Sequence, residues 1–256
     1  LIALSRSSSL MNEAMERLST GKRMNKASDD PAGIHQVMKL NAEIQGIETA
    51  SKNAADGQSL IDTLETSLSE VQSILLRMRE LTIQAISDTN SAADRLALDT
   101  ELSQLELEIT RIGSTTSFGG KPVFDGNLHY LQIGPRSGNT LEVQAYTLSA
   151  STLGLTQDLT TRNNAENYLG IIDTAIEDIN EKRGAAGALS NRLDFIMSNL
   201  DNSRVNLIKS RSIIEDADFA AESVKLAKAK ILEQVAIAMI AQANARTQWI
   251  LKLLEN

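Results

Sequence analysis

Residues 34–87 read IHQVMKLNAEIQGIETASKNAADGQSLIDTLETSLSEVQSILLRMRELTIQAIS, and their apolar spacing decides the fold. Leu40, Ile47, Ala50, Ala54, Ile61, Leu64, Leu68, Val71, Leu75, Met78, Thr82 and Ala85 lie on one line of alternating three- and four-residue steps. Only Glu43 and Gly57 interrupt it. That spacing returns each side chain to the same face of a helix, so the line is a heptad seam that lies against partner helices. At 1.5 Å per residue, a helix over 34–87 is roughly 80 Å long. Asp29-Asp30-Pro31 supplies its start, because an Asp carboxylate accepts orphan amides and Pro is preset for the first helical position.

A second seam appears from near Ala165 onward. Ile172, Ala175, Ile179, Ala186, Leu189, Leu193, Ile196, Leu200, Leu207 and Ile214 keep the same alternation, with Lys182, Ser203 and Ser210 as polar exceptions. Between the two seams, Asp88–Asn90 form a turn and Ser91-Ala92-Ala93-Asp94 reads as a helix N-cap. A shorter helix then carries Leu98, Leu102, Leu105, Ile109 and Ile112, and Gly113 is expected to close it. Residues 113–127, with four glycines and one proline, read as loop. Leu128, Tyr130 and Gln132, then Thr140–Tyr146, read as the two strands of one hairpin. A Ser/Thr/Leu connector follows.

Outside the seams, Leu10, Met11, Ala14, Met15 and Leu18 mark a first helix that stops at Ser19-Thr20-Gly21. A last helix follows Glu215-Asp216-Ala217-Asp218. Its middle, Val235–Ala241, is apolar on every face, and such a helix is buried all round or waits for partners. The expected fold class is therefore mainly α: a long antiparallel helical rod, a coiled-coil-like bundle, with one small β-hairpin region. Residues 1–33 and 216–256 would form a terminal helical domain. Residues 34–215 would form the rod, with the hairpin at about 118–146 and the connector at 147–164.

Composition narrows the function. Hydrophobic residues are 42% of the 256, but aromatics only 3%, so the core rests on Leu, Ile, Val, Met and Ala, the residues that fill helix seams. A net charge of −8, with Lys and Arg scattered among acids, argues against nucleic acid. The absence of cysteine removes disulfides, thiolate metal sites and cysteine catalysis. No apolar run reaches the length of a membrane span, so membrane insertion is not expected. No secretory signal opens the chain. It starts at Leu1 without a Met, part-way into an amphipathic helix, which implies a missing N-terminal stretch.

Candidate chemistry is sparse. Asp29-Asp30 and Asp216/Asp218 are paired carboxylates without EF-hand spacing or a neighbouring His, so capping and contacts between subunits outweigh catalysis or Ca²⁺. His35 and His129, the only histidines, show no metal-ligand pattern, and Trp249 reads as packing. Gly119-Gly120 and Gly134 serve turns, not a phosphate loop. No catalytic residue, cofactor or metal is expected.

Four segments resemble one family. Glu16-Arg17-Leu18-Ser19-Thr20-Gly21-Lys22-Arg23-Met24-Asn25-Lys26-Ala27-Ser28-Asp29-Asp30-Pro31-Ala32-Gly33 is similar to the N-terminal signature of bacterial flagellins, with Pro31 where Ala or Ser is usual. Ile214-Glu215-Asp216-Ala217-Asp218-Phe219-Ala220-Ala221-Glu222-Ser223, then Ile231-Leu232, Ala238-Met239 and Ala241-Gln242-Ala243-Asn244, with Leu251 and Leu253-Leu254, resembles its C-terminal half. Phe118–Gly126 and Leu131-Gln132-Ile133-Gly134 resemble the loop and first strand of the family's hairpin.

The resemblance implies a subunit that polymerises with copies of itself into the flagellar filament for motility. It also implies a minimal form without the large variable domains, left with only a connector near Thr147–Thr161. It places Arg17, Leu18, Asp29, Asp30, Asp216, Asp218, Phe219, Ile231, Val235, Met239, Gln242 and Asn244 at subunit contacts. It further implies export through the flagellar type III channel without a cleaved signal, an extracellular location, and an export chaperone, a filament cap and hook-associated proteins as partners. Arg77 and Leu81 match a family segment recognised by the animal toll-like receptor, and Glu108 falls on the neighbouring helix near the family's third contact. Arg77 and Leu81 are expected on one exposed ridge, set off from the seam. The rival readings are a hook–filament junction protein and a surface-displayed homologue that binds a polysaccharide or host receptor.

Overall fold

The computed structural model describes Ile2–Leu254, with side chains described through Arg246. Its elements are α1 (Ile2–Thr20), α2 (Pro31–Ile86), α3 (Ala92–Thr115), β1 (Ser117–Phe118), β2 (Lys121–Pro122), β3 (Leu128–Gln132), β4 (Thr140–Gln144), α4 (Arg162–Glu215) and α5 (Phe219–Leu254). The chain is mainly helical, as the periodicity predicts. It divides into two compact units: residues 1–45 with 204–256, and residues 46–203.

In the second unit the α2 seam is the core. Ile47, Ala50, Ala54, Ile61, Leu64, Leu68, Val71, Leu75, Met78, Thr82 and Ala85 are all buried, and Leu68, Val71, Leu75, Met78, Thr82 and Ala85 have no exposure at all. From α4, Ile172, Ala175, Ile179, Ala186 and Leu193 join the same cluster, and α3 adds Leu102, Ile109 and Ile112. The helices α2 and α4 are antiparallel along this stretch, as expected. Gln58 meets Ser190, Glu65 and Gln72 meet Arg183, Gln72 meets Asn180, and Arg79 meets Asp173. The α2 members of that polar stripe, Gln58, Glu65, Gln72 and Arg79, are spaced by sevens, so they flank the apolar seam along its length.

Gly57, which breaks the seam in sequence, is buried there for a reason. A Cβ at this position would lie 2.4 Å from Cδ1 of Leu131. The hairpin's β3 strand therefore rests directly on α2, and the other strand turns Leu141 and Val143 into the core while Thr140, Glu142 and Gln144 face out. A lone hairpin is marginal in water, and this support is what it needs. The pairing Leu128↔Gln144 through Gln132↔Thr140 matches the expected hairpin. A second antiparallel pair, Ser117↔Pro122 and Phe118↔Lys121, lies in the stretch read as loop. Two residues per strand are too few to leave a periodic trace in sequence.

Gly113 does not close α3, which continues to Thr115. The residue is buried, and a Cβ there would lie 1.9 Å from the carbonyl oxygen of Leu148. The glycine is required by a close backbone approach, not by a turn. At its other end α3 begins as expected: Ser91 and Asp94 form a reciprocal capping box.

Candidate assembly surface

The first unit is built where the two signature segments meet. Asp30 caps α2: its Oδ1 accepts from the Gly33 amide at 2.9 Å. Asp29 faces the other way and braces the loop, with Oδ2 accepting from the amides of Asn25 and Lys26, both at 3.0 Å. Those amide bonds, from Lys26 first and then Asn25, hold the Asp29 carboxyl below the usual range. The loop then pairs with the segment after α4. Lys22 and Asp216 form an antiparallel bridge. The Arg23 amide donates to the Glu215 carbonyl at 2.7 Å, and the Ala217 amide donates to the Gly21 carbonyl at 2.9 Å. Side chains reinforce the pairing, with Lys22 Nζ 2.5 Å from Glu215 Oε1 and Arg23 donating to the Ile214 carbonyl at 2.9 Å. Asp218 caps α5, accepting from the Ala220 amide at 2.9 Å and the Ala221 amide at 3.1 Å.

The termini then run together as α1 and α5. One line of α5 with seven-residue spacing, Glu222, Ala229 and Ala236, is the part covered by α1; Glu222 and Ala229 are buried and Ala236 is half-buried. Glu222 is the polar tie in that contact. Its Oε1 accepts from Lys225 at 2.7 Å and Arg17 at 3.4 Å, and Arg17 also holds Glu13 at 2.6 Å. These cations, Lys225 foremost, keep the Glu222 carboxyl below its ordinary range.

Beside this contact an open groove of about 900 Å³ runs between α1 and α5. Leu4, Leu10 and Ala14 form one apolar wall and Leu232, Val235 and Met239 the other, with Arg6 and Lys228 among its charged lining. Ile231, Val235, Ile237 and Met239 of α5 remain 60%, 52%, 53% and 65% exposed. Apolar side chains gathered in the open on one helix face are the kind of surface that a partner covers.

Of the residues expected at subunit contacts, Val235 and Met239 line the groove with Arg17 at its charged edge. Ile231 is exposed beside it, Phe219 is 62% exposed at the α5 start, and Gln242 and Asn244 are exposed further along α5. Leu18 is half-buried on α1. Asp29, Asp30, Asp216 and Asp218 form the loop junction and the helix caps. Trp249, Leu251, Leu253 and Leu254 lie outside the described side chains. Sequence reasoning passed over Glu222, Glu215 and Lys22. The signal for Glu222 was its place seven residues before Ala229, a carboxylate on the line that α1 covers.

The exposed-ridge expectation is corrected in part. Arg77 is half-exposed and its guanidinium is paired with Glu101 at 2.7 Å and Glu80 at 3.1 Å. Leu81 is 1% exposed and therefore core. The bond from Arg77 to Glu101 of α3 gives the reason. The face of α2 carrying Arg77, Leu81 and Ala85 looks towards α3, so a residue off the α4 seam is covered by a second helix. Glu108 is on α3 too, but it binds Arg111 at 2.6 Å and not Arg77.

Neither the junction nor the groove gathers reacting groups. Among the described residues no cluster of three or more His, Cys, Asp or Glu could hold a metal ion, and no described helix is long and apolar enough to cross a membrane. Fold and surface together define a mainly helical protein that presents an exposed apolar face on its last helix. Comparison with known proteins is specific. The family patterns of the bacterial flagellin N-terminal helical region and C-terminal helical region match residues 2–129 and 169–254. A flagellin of Halalkalibacterium halodurans is 40% identical over 94% of this chain and 91% of its own length, and a Bacillus subtilis flagellin is 35% identical over 98% and 95%. The crystal structure of Bacillus cereus flagellin superposes with a TM-score of 0.54 at 35% identity, covering 58% of this chain and 88% of that one. The chain belongs to the bacterial flagellin family.

Proposed function

We propose that this chain is a structural subunit that polymerises with its own copies into the bacterial flagellar filament and serves motility. The observation that carries this is the terminal pair α1 and α5, whose apolar residues Val235 and Met239 stay exposed beside an open groove. Assembly covers such surface, and ordering of the termini at that moment keeps free subunits from associating early. The chain is not an enzyme on this reading. It leaves the cell unfolded through the flagellar type III channel, without a cleaved signal, and works outside the cell. An export chaperone, the filament cap and hook-associated proteins handle it on the way. Arg77 and Glu108 on the second unit are offered to a host toll-like receptor, with Leu81 supporting that face from beneath.

Electron microscopy of the full-length protein under polymerising conditions tests the reading. Long helical filaments are expected from the native chain, and none from Val235→Asp with Met239→Asp. A native chain that yields no filaments, or only caps existing hooks, would overturn it in favour of a junction or display role.

A further inference from the structure

Where α3 and α4 pack together, Tyr168 of α4 has no exposed surface. Its hydroxyl donates to Oε1 of Glu106 on α3 at 2.5 Å. Glu106 is itself half-buried. Seven residues earlier on α3, Asp99 accepts the Leu159 amide at 2.8 Å. No cation answers these two acids: among the described residues neither has an ion pair. The arginines of the adjoining elements are committed elsewhere: on α3, Arg95 to the Ala85 and Ser87 carbonyls and Arg111 to Glu108; at the start of α4, Arg162 to Asp88 and Glu166; and on α2, Arg77 to Glu80 and Glu101 and Arg79 to Asp173. Asp158 of the connector is taken up by Thr160 and Asn164. A carboxyl and a phenol therefore meet at a helix contact with no ion-paired cation and a second carboxyl one heptad away, and burial in that setting disfavours the charged form of the acid.

We propose that Glu106, Asp99 and Tyr168 form a proton-operated clamp that draws α3 more firmly onto α4 as the surroundings acidify. A proton from solvent goes to the Glu106 carboxyl, and Tyr168 keeps its own proton and continues to donate to Oε1. Burial holds the Glu106 carboxyl above its ordinary range and Asp99 adds to this, although the Tyr168 bond acts against it. Burial, with Glu106 beside it, pushes the Tyr168 phenol far up, so it stays protonated throughout. A carboxyl raised in the folded state contributes stability that is complete below its unfolded range and fades as pH rises through its folded range. The capping box at the start of the same helix behaves oppositely. Asp94 is lowered by its Ser91 bonds, so that cap weakens in acid.

The test is amide hydrogen exchange on the full chain between pH 7 and pH 5, corrected for intrinsic rates. Protection at residues 103–108 should rise on acidification, by up to about tenfold per pH unit that separates the folded and unfolded carboxyl ranges, while protection at residues 94–97 stays level, because the lowered Asp94 carboxyl is still ionised across that window. Glu106→Gln, which fixes the neutral shape, should melt higher than the parent at pH 7 and lose the pH dependence at residues 103–108. Carbon-13 NMR of the Glu106 carboxyl should give a midpoint above that of the same residue in urea. Protection at residues 103–108 that fails to rise, a Gln variant that melts lower at pH 7, or a midpoint at or below the unfolded one would each overturn the clamp.

Discussion

Replacing Gly113 by alanine should destabilise the protein, although the same change in an ordinary helix interior does the reverse. Gly→Ala in a helix removes unfolded-state freedom and typically gains about 0.5–1 kcal/mol. At Gly113 the added methyl would stand 1.9 Å from the Leu148 carbonyl oxygen and 2.8 Å from its carbonyl carbon. Both are backbone atoms, so relief requires moving α3 away from the segment at Leu148, whose side chain belongs to the same core cluster as Ile109 and Ile112. Overpacking of this kind costs about 1–3 kcal/mol. At roughly 2–4 °C per kcal/mol for a chain of this size, melting should fall by about 2–12 °C. Gly184 on α4 is the internal control, because it is exposed and has no atom within 4 Å of an added Cβ. Gly184→Ala should raise melting by about 1–4 °C. Differential scanning calorimetry of the two variants reads opposite signs if the close approach is real. A rise in both would refute it and return Gly113 to the role of an ordinary helix glycine.

The seam supplies a second expectation: Leu68→Ala or Leu193→Ala, each fully buried, should cost about 2–5 kcal/mol by urea unfolding, and less than about half a kcal/mol at both would show that the heptad line is misplaced. Leu81 and Arg77 should separate cleanly, Leu81→Ala lowering stability as a core truncation by about 2–5 kcal/mol while Arg77→Glu leaves the melting temperature nearly unchanged; equal melting curves for the two would mean that Leu81 is not covered by α3. The Glu222 tie predicts a pH response. Its carboxyl is held low by Lys225 and Arg17, so its stabilisation is present above the ordinary carboxylate range and is lost as pH falls through the lowered one. Exchange protection at residues 222–229 should decline in that acid window, and a Glu222→Gln variant that declines just as steeply would assign the effect to another group.

The sequence by itself determined the helices, because helix periodicity is a local property. Steps of three and four name the buried face of α2 whatever covers it, and every seam position from Ile47 to Ala85 is buried. The start of α3 was likewise local, since Ser91 and Asp94 cap one another within four residues. What covers a face is not local. Leu81 looks unpartnered when α2 is matched to one antiparallel helix, and it is buried because α3 returns along the adjoining face, a fact of chain path that heptad phase does not carry. Gly113 and Gly57 look like a stop and a flaw in sequence; only the placement of Leu148 and Leu131 against them makes them necessary contacts. The candidate site divides in the same way. The apolar run of α5 was legible as unsatisfied surface, whereas the joining of Lys22 to Asp216 and of Arg17 to Glu222 spans about two hundred residues. Pairing at that separation, by backbone bridge or by charge, is decided by which segments the fold brings together, and residue type alone is silent about it.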